Sequence, residues 1–177
     1  MATTKTAAAL SDLDCLIAKI AKNDKEALGQ LYNETRSGVY AYALSILKDR
    51  HDAEDVLQDC YLCIRSAAKN YESCGKPMAW ILTITKHLCL KILDQKKYSA
   101  SLTYDQAAPS TDPDDKLVIE GCLKVLSDSE RQIVVLHAVS GIKHRDIALI
   151  MELPLATVLS KYHRALKKMK KYLGKEN

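Results

Sequence analysis

The sequence HRDIALIM, residues 144–151, is followed by the turn ELPL at 152–155 and by a long basic segment from Ala156 onward. Apolar residues recur at helical spacing in the first and third of these segments, which predicts two helices. Pro154 separates them, because the residue before a proline disfavours the helical conformation. A short helix, a tight turn and a longer helix form the helix-turn-helix pattern. These segments therefore predict an all-α fold.

The last predicted helix has two faces of opposite character. The face expected to pack on the preceding helices consists of Val158, Tyr162, Ala165 and Met169. The polar face consists of Ser160, His163, Arg164 and Lys167, at i, i+3, i+4 and i+7 spacing. In a helix-turn-helix, the N-terminal part of the second helix enters the major groove of DNA. The polar face is therefore a candidate for contacts with bases.

Charge supports a nucleic-acid partner for this helix. Residues 156–177 contain seven Lys or Arg residues and one acidic residue, whereas the net charge of the whole chain is only +4. Arg164 can pair with guanine through two hydrogen bonds, Ser160 can bond base edges or phosphates, and Thr157 can bond a phosphate. The predicted DNA-binding residues of the helix are Thr157, Ser160, Lys161, His163, Arg164 and Lys167. The alternative is an ordinary basic helix on the surface of a bundle.

The sequence predicts two helical domains, one before this motif and one that contains it. Residues 99–115 are rich in Ser, Thr, Asp and Pro and lack an apolar period, so we interpret them as a flexible linker. They separate an N-terminal helical bundle, residues 1–98, from a C-terminal helix-turn-helix domain, residues 116–177. In the second domain, Ser127 and Glu130 fit a capping box, and the helix that follows is expected to stop at Gly141.

The first domain is predicted to be helical throughout. Asp12, Asp24 and Asp52 can each start a helix, and Pro77 suits the first turn of a fourth. The helix from Asp52 is expected to bury Ala53, Val56, Cys60 and Ile64, and the fourth to carry Trp80, Ile81, Ile84, Leu88 and Ile92. Residues 70–76 lie between these two helices and are predicted to form a loop.

Several classes of protein are disfavoured by the sequence. The apolar runs fall short of the ~18–20 residues that cross a bilayer, and the N-terminus does not resemble a signal peptide, so we expect a cytoplasmic protein with reduced cysteines. Cys60 and Cys63 lie within a predicted helix and no second Cys pair follows, which favours free thiols over a zinc site. We find no catalytic motif and no phosphate-binding loop, and expect neither a metal nor a cofactor.

Four segments resemble a known family. Gly141–Ala148 with Leu155–Ala165 resembles the promoter-binding C-terminal region of extracytoplasmic-function sigma factors of bacterial RNA polymerase, and Leu126–Leu136 is similar to the segment that precedes it. Asp52–Asp59 resembles the helix of that family that binds core polymerase, and Pro77–Ile84 resembles the start of its promoter-melting helix. The segments occur in the family's order and spacing.

The resemblance implies a function and a role for each half. The chain would bind core polymerase and direct promoter recognition and transcription initiation. The helix that carries Asp55, Gln58 and Asp59 would dock on the clamp helices of the polymerase β′ subunit. The loop 70–76 and the fourth helix would face the minus-ten element, with the opened strand or its phosphates contacted by Lys86, His87, Lys91, Lys96 and Lys97. The C-terminal domain would read the minus-thirty-five element as duplex, and an anti-sigma factor is an expected partner.

Some positions depart from the family pattern, and two alternatives stay open. Leu159 lies where the family usually has a basic residue, Glu152 replaces a common glycine, and His87 replaces a frequent asparagine. One alternative is a stand-alone helix-turn-helix regulator that binds duplex operators. The other is a sigma mimic that titrates an anti-sigma factor.

Overall fold

A computed structural model describes residues 12–100 and 121–174. Within these ranges every regular element is a helix, which confirms the predicted all-α class. The N-terminal half contains α1 (Asp12–Ile20), α2 (Lys25–Leu47), α3 (Arg50–Ala67), a 3₁₀ turn (Ala68–Asn70) and α4 (Pro77–Ala100). The C-terminal half contains helical residues 121–124, α5 (Asp128–Ala138), α6 (His144–Met151) and α7 (Leu155–Leu173). None of the described helices is long and apolar enough to cross a membrane.

Acidic side chains start two helices of the N-terminal half. Asp24 caps α2 as predicted, because its carboxylate accepts hydrogen bonds from the backbone N–H groups of Glu26 and Ala27 at 2.9 and 3.1 Å. The predicted start of α3 at Asp52 is wrong. Asp49 is the cap, and its carboxylate accepts a hydrogen bond from the backbone N–H of Asp52 at 3.0 Å. The helix therefore begins at Arg50, two residues earlier than predicted.

The fourth helix is longer than the sequence pattern suggested. It starts at Pro77, as expected, and continues to Ala100, past the charged run of residues 94–97 in which its end was predicted and two residues into the predicted linker. Residues 101–115 of the predicted linker lie outside the described residues. The predicted bounds of the two domains therefore stay a prediction.

The inward face of α3 agrees with the prediction from its spacing. Ala53, Val56, Cys60 and Ile64 are at most 1% exposed. Cys60 and Ile64 pack with residues of α1, α2 and α4, whereas Ala53 and Val56 pack with Cys89 of α4 and with α2. Burial raises the pKa of the Cys60 thiol to about 11, so this sulfur stays protonated at neutral pH. The cysteine pair of this helix thus contributes one side chain to the apolar core.

The capping box predicted at the start of α5 is present. The Ser127 hydroxyl accepts from the Glu130 backbone N–H, and the Glu130 carboxylate accepts from the Ser127 backbone N–H at 2.9 Å. The same carboxylate oxygen lies 2.7 Å from the Lys168 ammonium group of α7. Glu130 is only 3% exposed, so its charge is buried together with these partners. One side chain therefore both starts α5 and ties α5 to α7.

The two halves share an apolar core. Tyr42 of α2 and Leu82 of α4 pack in one cluster with residues of the C-terminal half, and both are completely buried. Their partners in the cluster are Ile133, Leu136, Ile142, Ile147, Ile150 and Val158. The helix-turn-helix therefore rests on the N-terminal bundle in this structure.

We expect Glu130→Gln to destabilise the protein by about 2 kcal/mol at pH 7, the usual contribution of hydrogen bonds to a charged group. Burial raises the pKa of Glu130, but the bonds from Lys168 and Ser127 outweigh that effect and hold its pKa at about 2, below the usual 4.5. The stabilisation is complete above the unfolded value and is lost as the pH falls toward 2. Urea denaturation should therefore show the difference between the two proteins shrinking in acid.

Glu26→Gln is a matched control, because Glu26 is an exposed carboxylate in the first turn of α2. It should change the unfolding free energy by less than about 0.5 kcal/mol, as surface substitutions usually do. Equal losses in the two variants would contradict the assigned role of Glu130.

Candidate nucleic-acid interface

The inward face of α7 is the one that its spacing predicted. Val158 and Ala165 are completely buried, and Tyr162 and Met169 pack against the clusters around them. The helix begins at Leu155, directly after Pro154, whose carbonyl accepts from the backbone N–H groups of Thr157 and Val158. Packing along one side fixes which side of α7 faces outward.

The predicted base-reading side chains lie on that outward side. Ser160, His163, Arg164 and Lys167 are all exposed, and Thr157 is half-buried at the first turn. The Ser160 hydroxyl donates a hydrogen bond to the Thr157 carbonyl at 3.0 Å. The exposed face thus presents one guanidinium, one ammonium, one imidazole and one hydroxyl group along about two turns. Their contacts with DNA stay a prediction.

Lys161 differs from the other predicted DNA-binding residues of α7. It is half-buried, and its ammonium group donates a hydrogen bond to the Ser129 hydroxyl of α5 at 2.8 Å. Together with the Lys168–Glu130 contact, this bond attaches α7 to α5 along its flank. Lys161 therefore holds the reading helix in place in this structure, and its assignment to DNA is untested.

The turn before α7 is formed by a residue with a positive φ. Glu152 has φ 55° and ψ 43°, a left-handed conformation that ends α6. Its backbone N–H bonds to Leu149, and the Leu153 N–H bonds to Ala148 at 3.0 Å, which closes the C-terminus of α6. A side chain at positive φ costs about 1 kcal/mol relative to glycine. Glu152 is therefore a strained choice at this position.

A cluster of three aromatic rings supports α7 on its inward side. The Tyr162 ring lies 5.0 Å from that of His137 and 4.6 Å from that of His144, and the two imidazoles are 4.2 Å apart. His137 Nδ1 donates to the Ile142 carbonyl at 2.9 Å. His144 Nε2 is buried and has no hydrogen-bond partner within residues 12–100 and 121–174. These rings join α5, α6 and α7 at one point, and the sequence pattern did not reveal them.

A second exposed face lies on α3. Asp55, Gln58 and Asp59, which were predicted to bind polymerase, are all exposed and lie opposite the buried face of the helix. Leu62 continues the same stripe at i+7 from Asp55 and is 60% exposed. Leu62 therefore adds one exposed apolar side chain to a stripe of three polar residues. Leu62 could have been placed on this face from its i+7 spacing in the sequence, but the predicted polymerase-binding residues included only Asp55, Gln58 and Asp59.

The predicted strand-binding residues of α4 are in different surroundings. His87, Lys91 and Lys97 are exposed, and Lys97 lies 3.7 Å from the Asp94 carboxylate. Lys96 forms an ion pair with Asp52 of α3. Lys86 is half-buried, and its ammonium group donates to the Ile150 carbonyl at 2.9 Å and to the Glu152 carboxylate at 2.7 Å. Lys86 is therefore in contact with the helix-turn-helix.

The loop before α4 is anchored to α1. Tyr71 and Ser73 donate their hydroxyl hydrogens to the buried Asp14 carboxylate at 2.7 and 2.8 Å. The Tyr71 ring also packs at a tilt against Trp80, with centroids 4.6 Å apart, and Trp80 packs against the core as expected. Asp14 was not singled out from the sequence, because its partners lie 57 and 59 residues away. The anchor fixes the position of the loop relative to α4.

Comparison with known proteins agrees with this arrangement. The family model for sigma-70 region 2 matches residues 31–98, and the model for sigma-70 region 4 matches residues 116–169. The ECF RNA polymerase sigma factor SigK of Mycobacterium sp. (strain KMS) is 28% identical, and the alignment covers 93% of this chain and 92% of SigK. SigK of Mycobacterium tuberculosis (strain H37Ra) is 26% identical, with 92% and 94% covered. This chain belongs to the extracytoplasmic-function sigma factors of bacterial RNA polymerase.

Solved structures share the fold of this sigma factor. CnrH, solved in complex with the cytosolic domain of CnrY, aligns with a TM-score of 0.69 at 20% identity, covering 94% of this chain and 100% of CnrH. RpoE of Bartonella quintana, solved in complex with the anti-sigma factor NepR, aligns with a TM-score of 0.70 at 20% identity, covering 82% and 96%.

As a sigma factor, the chain binds core polymerase and directs promoter recognition and transcription initiation. Region 2 contains α3 and α4 with the loop between them, and region 4 contains α5, α6 and α7. A stand-alone helix-turn-helix regulator would not need the sigma-70 region 2 that matches residues 31–98. That alternative is therefore disfavoured.

We expect His144→Phe to make region 4 of this sigma factor less sensitive to acid. Burial, and then the charges of His137 and His163, lower the pKa of His144 below its ordinary 6.5. The unfolded chain therefore binds the proton more readily than the folded chain does. The free energy of unfolding is at its full value above pH 6.5 and decreases as the pH falls below it. Phenylalanine keeps the ring contacts without a titrating group. Urea denaturation from about pH 7 to about pH 5.5 should show a flatter profile for the variant.

His87→Phe provides the control, since His87 is exposed on α4. It should retain the pH profile of the unmodified sigma factor. A His144→Phe profile as steep as that of the control would show that His144 is not the group responsible.

Proposed function

We propose that this sigma factor divides its binding functions among three surfaces: the outward face of α7 for the minus-thirty-five element, the α3 stripe for core polymerase, and α4 with its anchored loop for the opened minus-ten element. The observation that carries the proposal is the exposure of both predicted helix faces while the opposite faces of the same helices are buried. The chain supplies binding, and the polymerase supplies the catalysis. Its site of action is accordingly the cytoplasm.

The proposed polymerase surface is the stripe Asp55, Gln58, Asp59 and Leu62 of α3. Its two carboxylates and one amide suit a basic, hydrogen-bonding partner, and Leu62 adds apolar area that is 60% exposed in the free chain. By resemblance to the family, the partner is the pair of clamp helices of the β′ subunit. The relatives solved in complexes suggest that an anti-sigma factor is a further partner.

Asp59→Lys tests the proposed polymerase surface. We expect it to weaken binding to purified core polymerase at least tenfold, because like charges placed opposite each other in an interface cost several kcal/mol. Competition against a labelled sigma factor would measure the affinity. Glu26→Lys makes the same charge reversal on α2 and should leave the affinity unchanged. An unchanged affinity for Asp59→Lys would refute the assignment of this stripe.

The proposed base-reading surface centres on Arg164. The guanidinium is exposed in the third turn of α7 and can form two hydrogen bonds with a guanine edge. Lys170 is also exposed and lies further along the helix, where we expect it to contact phosphates rather than bases. Both side chains are positively charged, but we expect only Arg164 to contribute to the choice of DNA sequence.

We expect Arg164→Ala to cost about 1–3 kcal/mol of promoter binding and to relax the preference for one base, whereas Lys170→Ala should weaken binding evenly. Selection of duplexes from a randomised library by the reconstituted holoenzyme, followed by sequencing, measures both effects. If both variants weakened all sequences equally, Arg164 would be a backbone contact and the proposed reading geometry would be wrong.

A further inference from the structure

Three lysines of the N-terminal half face three carboxylates of the C-terminal half. The Nζ–carboxylate distances are 2.8 Å for Lys48–Asp128, 2.6 Å for Lys76–Asp146 and 2.7 Å for Lys86–Glu152. Two of these lysines belong to the surface proposed for the minus-ten element, Lys76 in the loop and Lys86 on α4. In this closed arrangement, carboxylates of region 4 therefore occupy the side chains that region 2 would offer to DNA phosphates.

The closed arrangement also brings the Ser140 side chain of the C-terminal half close to the backbone of α2. A Cβ atom placed on Gly38 of α2 would lie 2.9 Å from Met78 Cε and 3.0 Å from the Ser140 hydroxyl of the other half. Together with the shared core around Tyr42 and Leu82, this contact leaves no path for DNA between the two halves at this point. The apolar core holds the halves together, and the ion pairs lie around it.

The dimensions of a promoter require the halves to separate. The minus-ten and minus-thirty-five elements are about 25 base pairs apart, which is about 85 Å along straight duplex. A compact chain of 177 residues has a radius of gyration of about 16 Å and a diameter of about 40 Å. The closed sigma factor therefore cannot contact both elements, and the contacts between its halves must break on the promoter.

Lys86 and Glu152 form the contact in which a carboxylate of region 4 most directly takes the place of a DNA phosphate. The ammonium group of Lys86 has a backbone carbonyl at the C-terminus of α6 on one side and the Glu152 carboxylate on the other, an anionic environment similar to a pair of phosphates. Glu152 adopts a positive φ that glycine would adopt without strain. The strained residue is thus the one that carries the carboxylate.

We propose that Glu152 is an internal competitor of the DNA backbone for Lys86, which keeps region 2 shielded in the free sigma factor until polymerase and promoter separate the halves. This inference rests on the proposed role of Lys86 in strand binding. The Glu152 side chain is 76% exposed and that of Lys86 is 16% exposed. A pair with one partner in solvent changes an equilibrium by at most about fivefold, so Glu152 biases the closed state and does not lock it.

The first measurement requires no DNA. A lysine side chain reacts with an acetylating N-hydroxysuccinimide ester through its neutral amine, after the ammonium group loses a proton, and N-hydroxysuccinimide is released. A carboxylate that holds Lys86 in the ammonium form lowers its rate. Mass spectrometry of the full-length chain gives the rate for each lysine. We expect Glu152→Gly to raise the rate at Lys86 about two- to fivefold and to leave the exposed Lys91 unchanged. Glycine relieves the strained φ, so the variant should keep its fold. Glu26→Gln, which removes a carboxylate far along α2 from Gly38, is the matched control and should leave both rates unchanged.

The second measurement uses a fluorescein-labelled, mixed-sequence single strand of DNA and the free sigma factor. Glu152→Gly should raise the affinity by the same two- to fivefold, and Lys86→Ala in the Glu152→Gly background should abolish the gain. An unchanged acetylation rate at Lys86 would overturn the shielding by Glu152. A raised rate without a gain in DNA affinity would overturn the competition.

Promoter opening by the reconstituted holoenzyme with Lys86→Ala alone tests the proposed role of Lys86 separately. Loss of opening in that assay, combined with unchanged acetylation in Glu152→Gly, would leave the strand-binding function intact and reject only the internal competitor.

Discussion

The contact between α2 and α5 through the buried Tyr42 side chain determines how the two regions of this sigma factor are arranged. Tyr42 is completely buried, burial raises its pKa, and its hydroxyl has no hydrogen-bond partner in the part of the chain that the structure describes. An unpaired buried hydroxyl is unfavourable, so the surrounding apolar contacts must offset it. Separation of the halves would expose Tyr42, Leu82 and Ile133 to water. Opening is therefore favourable only when other contacts replace this core.

The electrostatic contacts around the core are weak enough to be exchanged. Lys48, Asp128 and Glu152 have side chains that are more than half exposed, and surface ion pairs of this kind contribute little to stability. A phosphate can therefore replace the exposed Glu152 carboxylate beside Lys86 at a small cost in free energy, whereas the Asp146 carboxylate beside Lys76 is only 17% exposed and is harder to replace. An apolar core holds the halves together, and the exposed ion pairs around it can exchange carboxylates for phosphates. This combination suits a sigma factor that is closed when free and extended on a promoter.

Positioning of the reading helix depends on contacts that lie on its other sides. Val158 and Ala165 fill the core, Lys161 and Lys168 bind α5 along the flank, and the Tyr162 ring rests on two histidines. These contacts leave a single side of α7 for DNA. The same division holds for α3, where the exposed stripe is opposite the buried face. In both helices, burial of one face in the core determines which residues of the opposite face are exposed to a partner.

The sequence by itself determined the features that depend on neighbouring residues: the cap at Asp24, the capping box of Ser127 and Glu130, the start of α4 at Pro77, and the inward face of α7. Helical spacing and capping act over three or four residues, so a single sequence is sufficient to reveal them. Even there the choice between Asp49 and Asp52 was missed, because either carboxylate could cap α3 and only backbone geometry decides.

Only the tertiary structure decided the contacts between distant segments. Asp14 holds Tyr71 across 57 residues, and Lys86 meets Glu152 across 66. Long side chains on an exposed helix face can reach many partners, and which one they meet depends on how the helices cross. That crossing is set by the packing of the shared core, and the periodicity of one helix carries no information about it.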